Sequence, residues 1–338
     1  MKDKKKLLWI LVGLLVVILA GVGLFFVFNK DTKKDDEDSK TESKEVKKEE
    51  AEATATPLLY KVTKAGSDNV IYLFGSIHMA DDRAYPMNDA IMEAYNSSDY
   101  LAVEFDTIAY TSDYQRQTED LKLLMYQDGT KISDHISKEV YDAMVQYLKN
   151  NNMYTSIYDV YKPALFYSLV TQISGNKSGL DSNKGIDAYF LKNAHKNNKN
   201  ILEVESSSFQ YNLLASFSDR FYEVIIMSSI VGEKLETEAL KNMYEGWLKG
   251  DAKVLEQSDT DELENIDLEG YEDIKSEVKR FNEEMITKRN ASMLKTVEGY
   301  FNDGKKTFVV VGAAHVVGDN GIAKGMEKDG YKVEVIKY

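Results

Sequence analysis

Two short stretches carry the residues best suited to chemistry, "LFGSIHMADD" at 73–82 and "VVGAAHVVGD" at 310–319. Each runs from apolar residues into a glycine, two small or apolar residues, a histidine and, a few positions on, an aspartate. The chain has only four histidines, and two of them, His78 and His315, stand in this same setting more than 200 residues apart. A third group comes from "YLAVEFD" at 100–106, where Glu104 interrupts a run that should be buried on both sides. A buried carboxylate needs a counter-charge, so Glu104 is read either as bound to a cation or as salt-bridged to an arginine such as Arg289. Two imidazoles and a carboxylate, His78, Glu104 and His315, are a ligand set suited to a divalent metal with positions open to water or substrate. The alternative keeps each histidine as a hydrogen-bonded structural residue at a strand end. The other two, His135 in "KISDHIS" and His195 in "KNAHKNN", sit in polar contexts and are expected to be solvated.

Several chemistries are excluded or weakened. With no cysteine, the chain has no disulfide, thiolate metal site or cysteine nucleophile. Ser76 lies beside His78, but no G-x-S-x-G elbow accompanies it. Neither a phosphate-binding P-loop nor a G-x-G-x-x-G stretch is present. The formal net charge of −14 is the wrong sign for a phosphate-binding surface, which argues against a nucleic-acid partner.

The elements that must position these residues can be read from the patterning. "LLYKVT" and "VIYLFG" flank a turn-forming stretch and read as strands, as do "YLAVEFD", "NILEVES", "KTFVVVGAAH" and "YKVEVIKY". "AIMEAYNSS", "SKEVYDAMVQYLKNNN", "KPALFYSLVTQIS" and "GIDAYFLKNAHKNN" space apolar residues three and four apart and read as helices. A long helix-rich stretch follows from about Phe209 to Phe301. Strand, helix and strand at both ends with helices between them predict a single α/β domain over 57–338, with a central mostly parallel or mixed sheet and a large helical insertion. In such sheets ligands gather beyond the carboxyl ends of the strands, and Gly75 and Gly312 are expected to turn the backbone there.

Ahead of this domain, Leu7 to about Phe28 is an uncharged stretch preceded by lysines. At ~1.5 Å per residue it is long enough to span a bilayer core of ~30 Å. Residues 1–29 are therefore expected to form a transmembrane helix rather than a cleaved signal peptide. The lysines Lys2, Lys4, Lys5 and Lys6 would keep its amino terminus in the cytoplasm and the following domain extracellular. Residues 30–56 are charged, almost without large apolar side chains, and are expected to be a disordered linker.

Beyond these patterns, the chain resembles the TraB/GumN (TraB/PrgY/GumN) family, which is related to the animal Tiki proteins. "NVIYLFGSIHMADDRAYPM" is similar to that family's first G-x-x-H strand and "VVVGAAHVVGDNGI" to its second. "VEFD" resembles its glutamate-bearing strand, "KGIDAYFLKNAHKNNKNILEVES" its Gly-Ile-Asp helix and Leu-Glu-Thr strand, and "KRNASML" its Arg-Asn helix start. At "EVES", valine and serine stand where leucine and threonine are customary; Gln210 follows Glu205 at the family spacing.

The resemblance implies a membrane-anchored, extracytoplasmic metal-dependent hydrolase, a peptidase favouring manganese or cobalt, with zinc compatible. Its partners would be a secreted peptide or protein substrate and the membrane. His78, Glu104 and His315 match the ligands or catalytic groups. Glu205, Arg289 and Arg83 match further positions in the catalytic set, with Asp187 and Asn290 supporting them. Whichever of Glu104 and Glu205 is not bound to metal would serve as general base, and Arg289 would stabilise the developing oxyanion or orient a carboxylate. The alternative on the same scaffold is a non-catalytic protein that sequesters a peptide, in keeping with the family's link to pheromone inhibition. Ester cleavage or haem handling, seen in the wider superfamily, is a third possibility.

Overall fold

The computed structural model, which describes residues 55–256 and 270–338, makes adjacent strands of the apolar runs before His78 and His315. The strands are β1 (Leu59–Thr63), β2 (Ile71–Ser76), β3 (Tyr100–Val103), β4 (Asn200–Glu203), β5 (Thr307–Gly312) and β6 (Lys332–Val335). They form one sheet in the order β4-β3-β5-β2-β1-β6. β2 and β5 run parallel, Ile71 facing Thr307 and Ser76 facing Gly312. β3 lies parallel to β5 on its other side, and β4 parallel to β3. β1 is antiparallel to both β2 and β6, so the sheet is mixed, with a parallel core of four strands. The carboxyl ends of those four strands share one rim, to which His78, Glu104, Glu205 and His315 are delivered within a few residues.

Gly75 has a different reason from the one its sequence suggests. It lies within β2, and a Cβ there would come within 2.9 Å of the Ala313 Cα. The missing side chain thus lets the second histidine motif pack directly against the first.

Between β2 and β3 runs α1 (Asp89–Ser97), capped by Asn88, whose side chain accepts from the Ala90 N–H. From β3 to β4 come α2 (Thr107–Ser112), α3 (Tyr114–Leu123), α4 (Lys138–Asn150), α5 (Pro163–Lys177) and α6 (Ile186–Lys196). From β4 the chain forms α7 (Ser207–Ala215), the 30-residue α8 (Asp219–Leu248), α9 (Ala252–Leu255) and α10 (Lys275–Asn282). A π-helical turn, Glu283–Lys288, then leads into α11 (Arg289–Asn302). α12 (Ala313–Val316) and α13 (Ile322–Lys328) join β5 to β6.

Alternation along the parallel strands sorts their side chains between two apolar layers. Phe74, Leu101, Val103, Phe308 and Val310 pack with α1 and α6, while Leu73, Ala102, Val309 and Val311 pack with α11 and α13. A third cluster lies wholly in the helical insertion, around α4, α5, α7 and α10. α5 is buried nearly all round, the expected state of an apolar helix at the centre of a bundle. α8 joins the layers: its first turns, Phe221 to Ile226, belong to the insertion, while Tyr244 and Trp247 near its end pack beneath the sheet.

The transmembrane helix expected over 1–29 lies outside the described residues, as does the linker over 30–56 apart from Ala55 and Thr56. Ala55 is buried, and the Thr56 N–H donates to the Leu248 carbonyl at 2.8 Å. Among the described residues no helix is long and apolar enough to cross a membrane.

Candidate functional site

His78 leaves the end of β2 and meets Asp187 in the first turn of α6, with His78 Nδ1 2.7 Å from Asp187 Oδ2. The start of α6 is fastened to the same loop by the Ile186 N–H, which donates to the Ile77 carbonyl at 2.9 Å. Gly185 permits this approach, because a Cβ there would stand 2.3 Å from the His78 carbonyl oxygen. The Gly-Ile-Asp triplet therefore reads physically as contact, burial and charge in successive residues. Asp187 also accepts from Ser76 Oγ at 2.7 Å. Burial alone would raise the Asp187 pKa, but the His78 ring and the hydrogen bonds from His78 and Ser76 outweigh it and hold the carboxyl below its usual range.

His315 is fully buried, and its Nδ1 lies 2.6 Å from Asn290 Oδ1. Asn290 Nδ2 donates to the Asn320 carbonyl at 2.9 Å, which orients the amide so that its oxygen faces the imidazole. The assigned proton is thus on Nδ1, and Nε2 carries the lone pair. His315 Nε2 is buried with no hydrogen-bond partner among the described residues. Burial, Arg289 and His78 push the His315 pKa well below the usual value, keeping the ring neutral. In its neutral form His78 follows the same rule, with Nδ1–H held by Asp187 and Nε2 basic.

Beside the histidines, one guanidinium holds two carboxylates. Arg289 Nη2 donates to Glu104 Oε2 and to Glu205 Oε2, both at 2.8 Å, and Nε donates to Glu205 Oε1 at 3.0 Å. Gln210 Nε2 adds bonds of 3.0 Å to Glu104 and 3.3 Å to Glu205, while the Gly312 N–H donates to Glu104 Oε1 at 3.1 Å. The β3–β4 pairing continues past the strands, the Glu205 N–H donating to the Glu104 carbonyl, and this aligns the two acids. Burial raises the Glu104 pKa; Arg289 and His78 oppose it, Glu205 and Asp187 reinforce it, and the net direction is upward. His78 is thus close enough to act electrostatically on both Glu104 and His315.

Among the described residues no three His, Asp or Glu side chains are grouped to hold a metal ion. Glu104 instead makes the salt bridge to Arg289 that its sequence setting also allowed. Of the two roles open to Arg289, the geometry matches the orienting of carboxylates: it is 1% exposed and its donors are turned to Glu104, Glu205 and the Met285 carbonyl. Arg83 does not join the cluster: it is half-exposed, pairs with Asp81 and Glu245, and lies over the Tyr244 ring.

The remaining histidines are both exposed, as expected, and each also has a partner: His195 Nε2 lies 2.8 Å from Asp106 Oδ2, and His135 stacks on Tyr126 with ring centroids 3.8 Å apart. Ser76 gives its hydroxyl proton to Asp187 rather than to His78, which is not the geometry of an activated nucleophile. Trp247, outside every sequence motif, ties α8 to the first motif by donating to the Gly75 carbonyl at 2.8 Å. Only its rarity, one of two tryptophans, marked it in the sequence.

The donor chemistry nevertheless suits a divalent cation held by fewer protein ligands than expected. Two imidazoles have Nδ1–H clamped and Nε2 basic, the arrangement that outer partners impose on metal-binding histidines. The neighbouring pair of carboxylates also exceeds the single Arg289 charge, so added positive charge would be favourable there.

A pocket of roughly 570 Å³, counting its open mouth, adjoins this rim. Ser76, His78 and Ala313 line one end, and Leu180, Leu240 and Met243 line the walls.

The model of the TraB/PrgY/gumN family matches residues 58–335 of the chain. No curated protein and no solved structure matches it.

Proposed function

This chain belongs to the TraB/PrgY/gumN family, and from that premise we propose that it is a metal-assisted hydrolase of peptide bonds, anchored at the membrane and acting outside the cytoplasm. The observation that carries the reading is the matched pair of histidines just beyond the ends of the adjacent parallel strands β2 and β5, each with Nδ1 engaged by an acceptor. His78 and His315 would hold the cation through Nε2; the resemblance to Tiki proteins favours manganese or cobalt, and nitrogen ligation is equally compatible with zinc. Bound there, a divalent cation supplies Lewis-acid polarisation of a carbonyl.

The chain's own residues divide the remaining work. Asp187 and Asn290 fix the two rings. Glu104, held by Arg289, Gln210 and the Gly312 N–H, would be the acid–base group. Arg289 and Gln210 position Glu104 and Glu205 rather than touching substrate.

The test is mass-spectrometric cleavage of a peptide library by the full chain in detergent with manganese, cobalt or zinc. Wild type should cleave, while His78→Ala and His315→Ala should lose turnover with unchanged circular dichroism. Full activity in both variants would refute the assignment. The largely apolar pocket beside His78 supports one second reading, a peptide-sequestering module without turnover. Saturable binding with unchanged peptide mass in all three metals would select it.

A further inference from the structure

The pocket beside His78 differs in character from the charged rim it adjoins. Met79, Leu180, Leu240 and Leu255 are buried in its walls, with Met243 partly buried among them. Among the described residues His78 is the only ionisable side chain that lines it. A charged guest side chain would lose its hydration there without gaining a partner, whereas an aliphatic one would bury apolar area against aliphatic walls. The two methionines add walls that adjust to guests of slightly different shape.

The walls are also held in fixed relation to the histidine. Leu240 and Met243 lie on α8, and hydrogen bonds join that helix to the segment carrying His78. Trp247 Nε1–H donates to the Gly75 carbonyl, Tyr244 OH donates to Asp81 Oδ1 at 2.9 Å, and the Asp81 N–H donates to Tyr244 OH at 3.1 Å. A group lodged between α8 and the β2 loop is therefore positioned relative to His78 by the fold itself.

We propose that this pocket is a specificity subsite that takes an aliphatic side chain, of the leucine or methionine type, from a peptide substrate. The inference rests on the hydrolase reading for what happens next to the lodged residue, but the selection itself is a matter of binding. Met243, on the pocket wall and away from the histidine clamps, is the residue that sets the preference.

A series of labelled host peptides of Gly, Ser and Ala, each with one guest residue, tests it. Anisotropy with the full chain and chelator present reads binding, and a parallel series with manganese, cobalt or zinc reads cleavage. Leu and Met guests should bind at least tenfold more tightly than Asp, Lys or Ser guests. Met243→Lys should move the preference from Leu toward Asp, a reversal that general loosening of the fold would not produce, and Met243→Leu should restore the original order.

Equal affinity across the guests would overturn the subsite, as would a Met243→Lys variant that still prefers Leu. Aliphatic-selective binding without cleavage in any metal would sustain the subsite and defeat the hydrolase reading. Cleavage indifferent to the guest would do the reverse. No binding and no cleavage would overturn both.

Discussion

Two regions of this molecule bury carboxylates, and they solve the problem differently. At the sheet rim Glu104 and Glu205 share Arg289, supported by Gln210 and a backbone N–H. In the helical insertion Glu236 of α8, 1% exposed, accepts from Ser174 Oγ at 2.9 Å and has no salt bridge among the described residues. Burial raises its pKa to about 7, with the Ser229 and Ser174 hydroxyls opposing and Glu233 adding to the rise. One region answers burial with a fixed counter-charge, the other with a proton. A shifted pKa therefore does not by itself mark a site of chemistry; the convergence of His78, His315 and a clamped acid pair distinguishes the rim.

The largest effect should come from breaking the rim's answer. Arg289→Met leaves Glu104 and Glu205 buried without a counter-charge and should cost about 3–5 kcal/mol at pH 7. The loss should shrink at pH 5 as the acids take up protons, which urea melts at both values would show. An equal loss at both pH values would mean that lost packing, rather than uncompensated charge, dominates.

Glu236→Gln should act in the opposite direction. Because the folded-state pKa lies above the unfolded one, the folded protein binds the extra proton between about pH 4.5 and 7, and stability declines as pH rises through that window. The variant should thus exceed wild type at pH 8 by something on the order of 3 kcal/mol and match it near pH 4. No difference at pH 8 would place Glu236 with the paired acids.

Asp187→Asn keeps the shape of the His78 clamp and removes its charge. Calorimetric titration should show metal affinity reduced by about 10–100-fold. The smallest effect belongs to Arg83→Ala, which should change stability by less than about 1 kcal/mol, since its ion pairs are exposed. Arg83 and Arg289 thus form an internal control. A loss on Arg83→Ala comparable to that on Arg289→Met would erase the contrast between surface pairing and buried compensation.

Much of the rim was legible in the sequence because burial leaves a local trace. Continuous apolar runs before His78 and His315 mark strands covered on both faces, and a lone Glu104 inside such a run marks a charge that must be paired. What no local pattern carries is which strands become neighbours. The adjacency of β2 and β5, and with it the reason for Gly75, emerges only from packing. For the same reason Arg289 could be considered as a partner for Glu104 but not chosen over a metal. His195 is exposed, as its polar neighbours in sequence suggest, but its partner, Asp106, lies 89 residues away and left no local trace. Arg83 stood in a motif whose other members reach the rim, and no feature of its own residue type revealed that it turns outward.

The central place of β5 also orders events in time. Because β5 alone joins the β3–β4 pair to the β1–β2 pair, a chain still being synthesised has two open-edged sheet fragments until Thr307–Gly312 emerges. Pairings between such distant segments carry a high closure cost and form late. The two histidines therefore cannot meet until β5 has paired with β2, and the rim is completed only at that step.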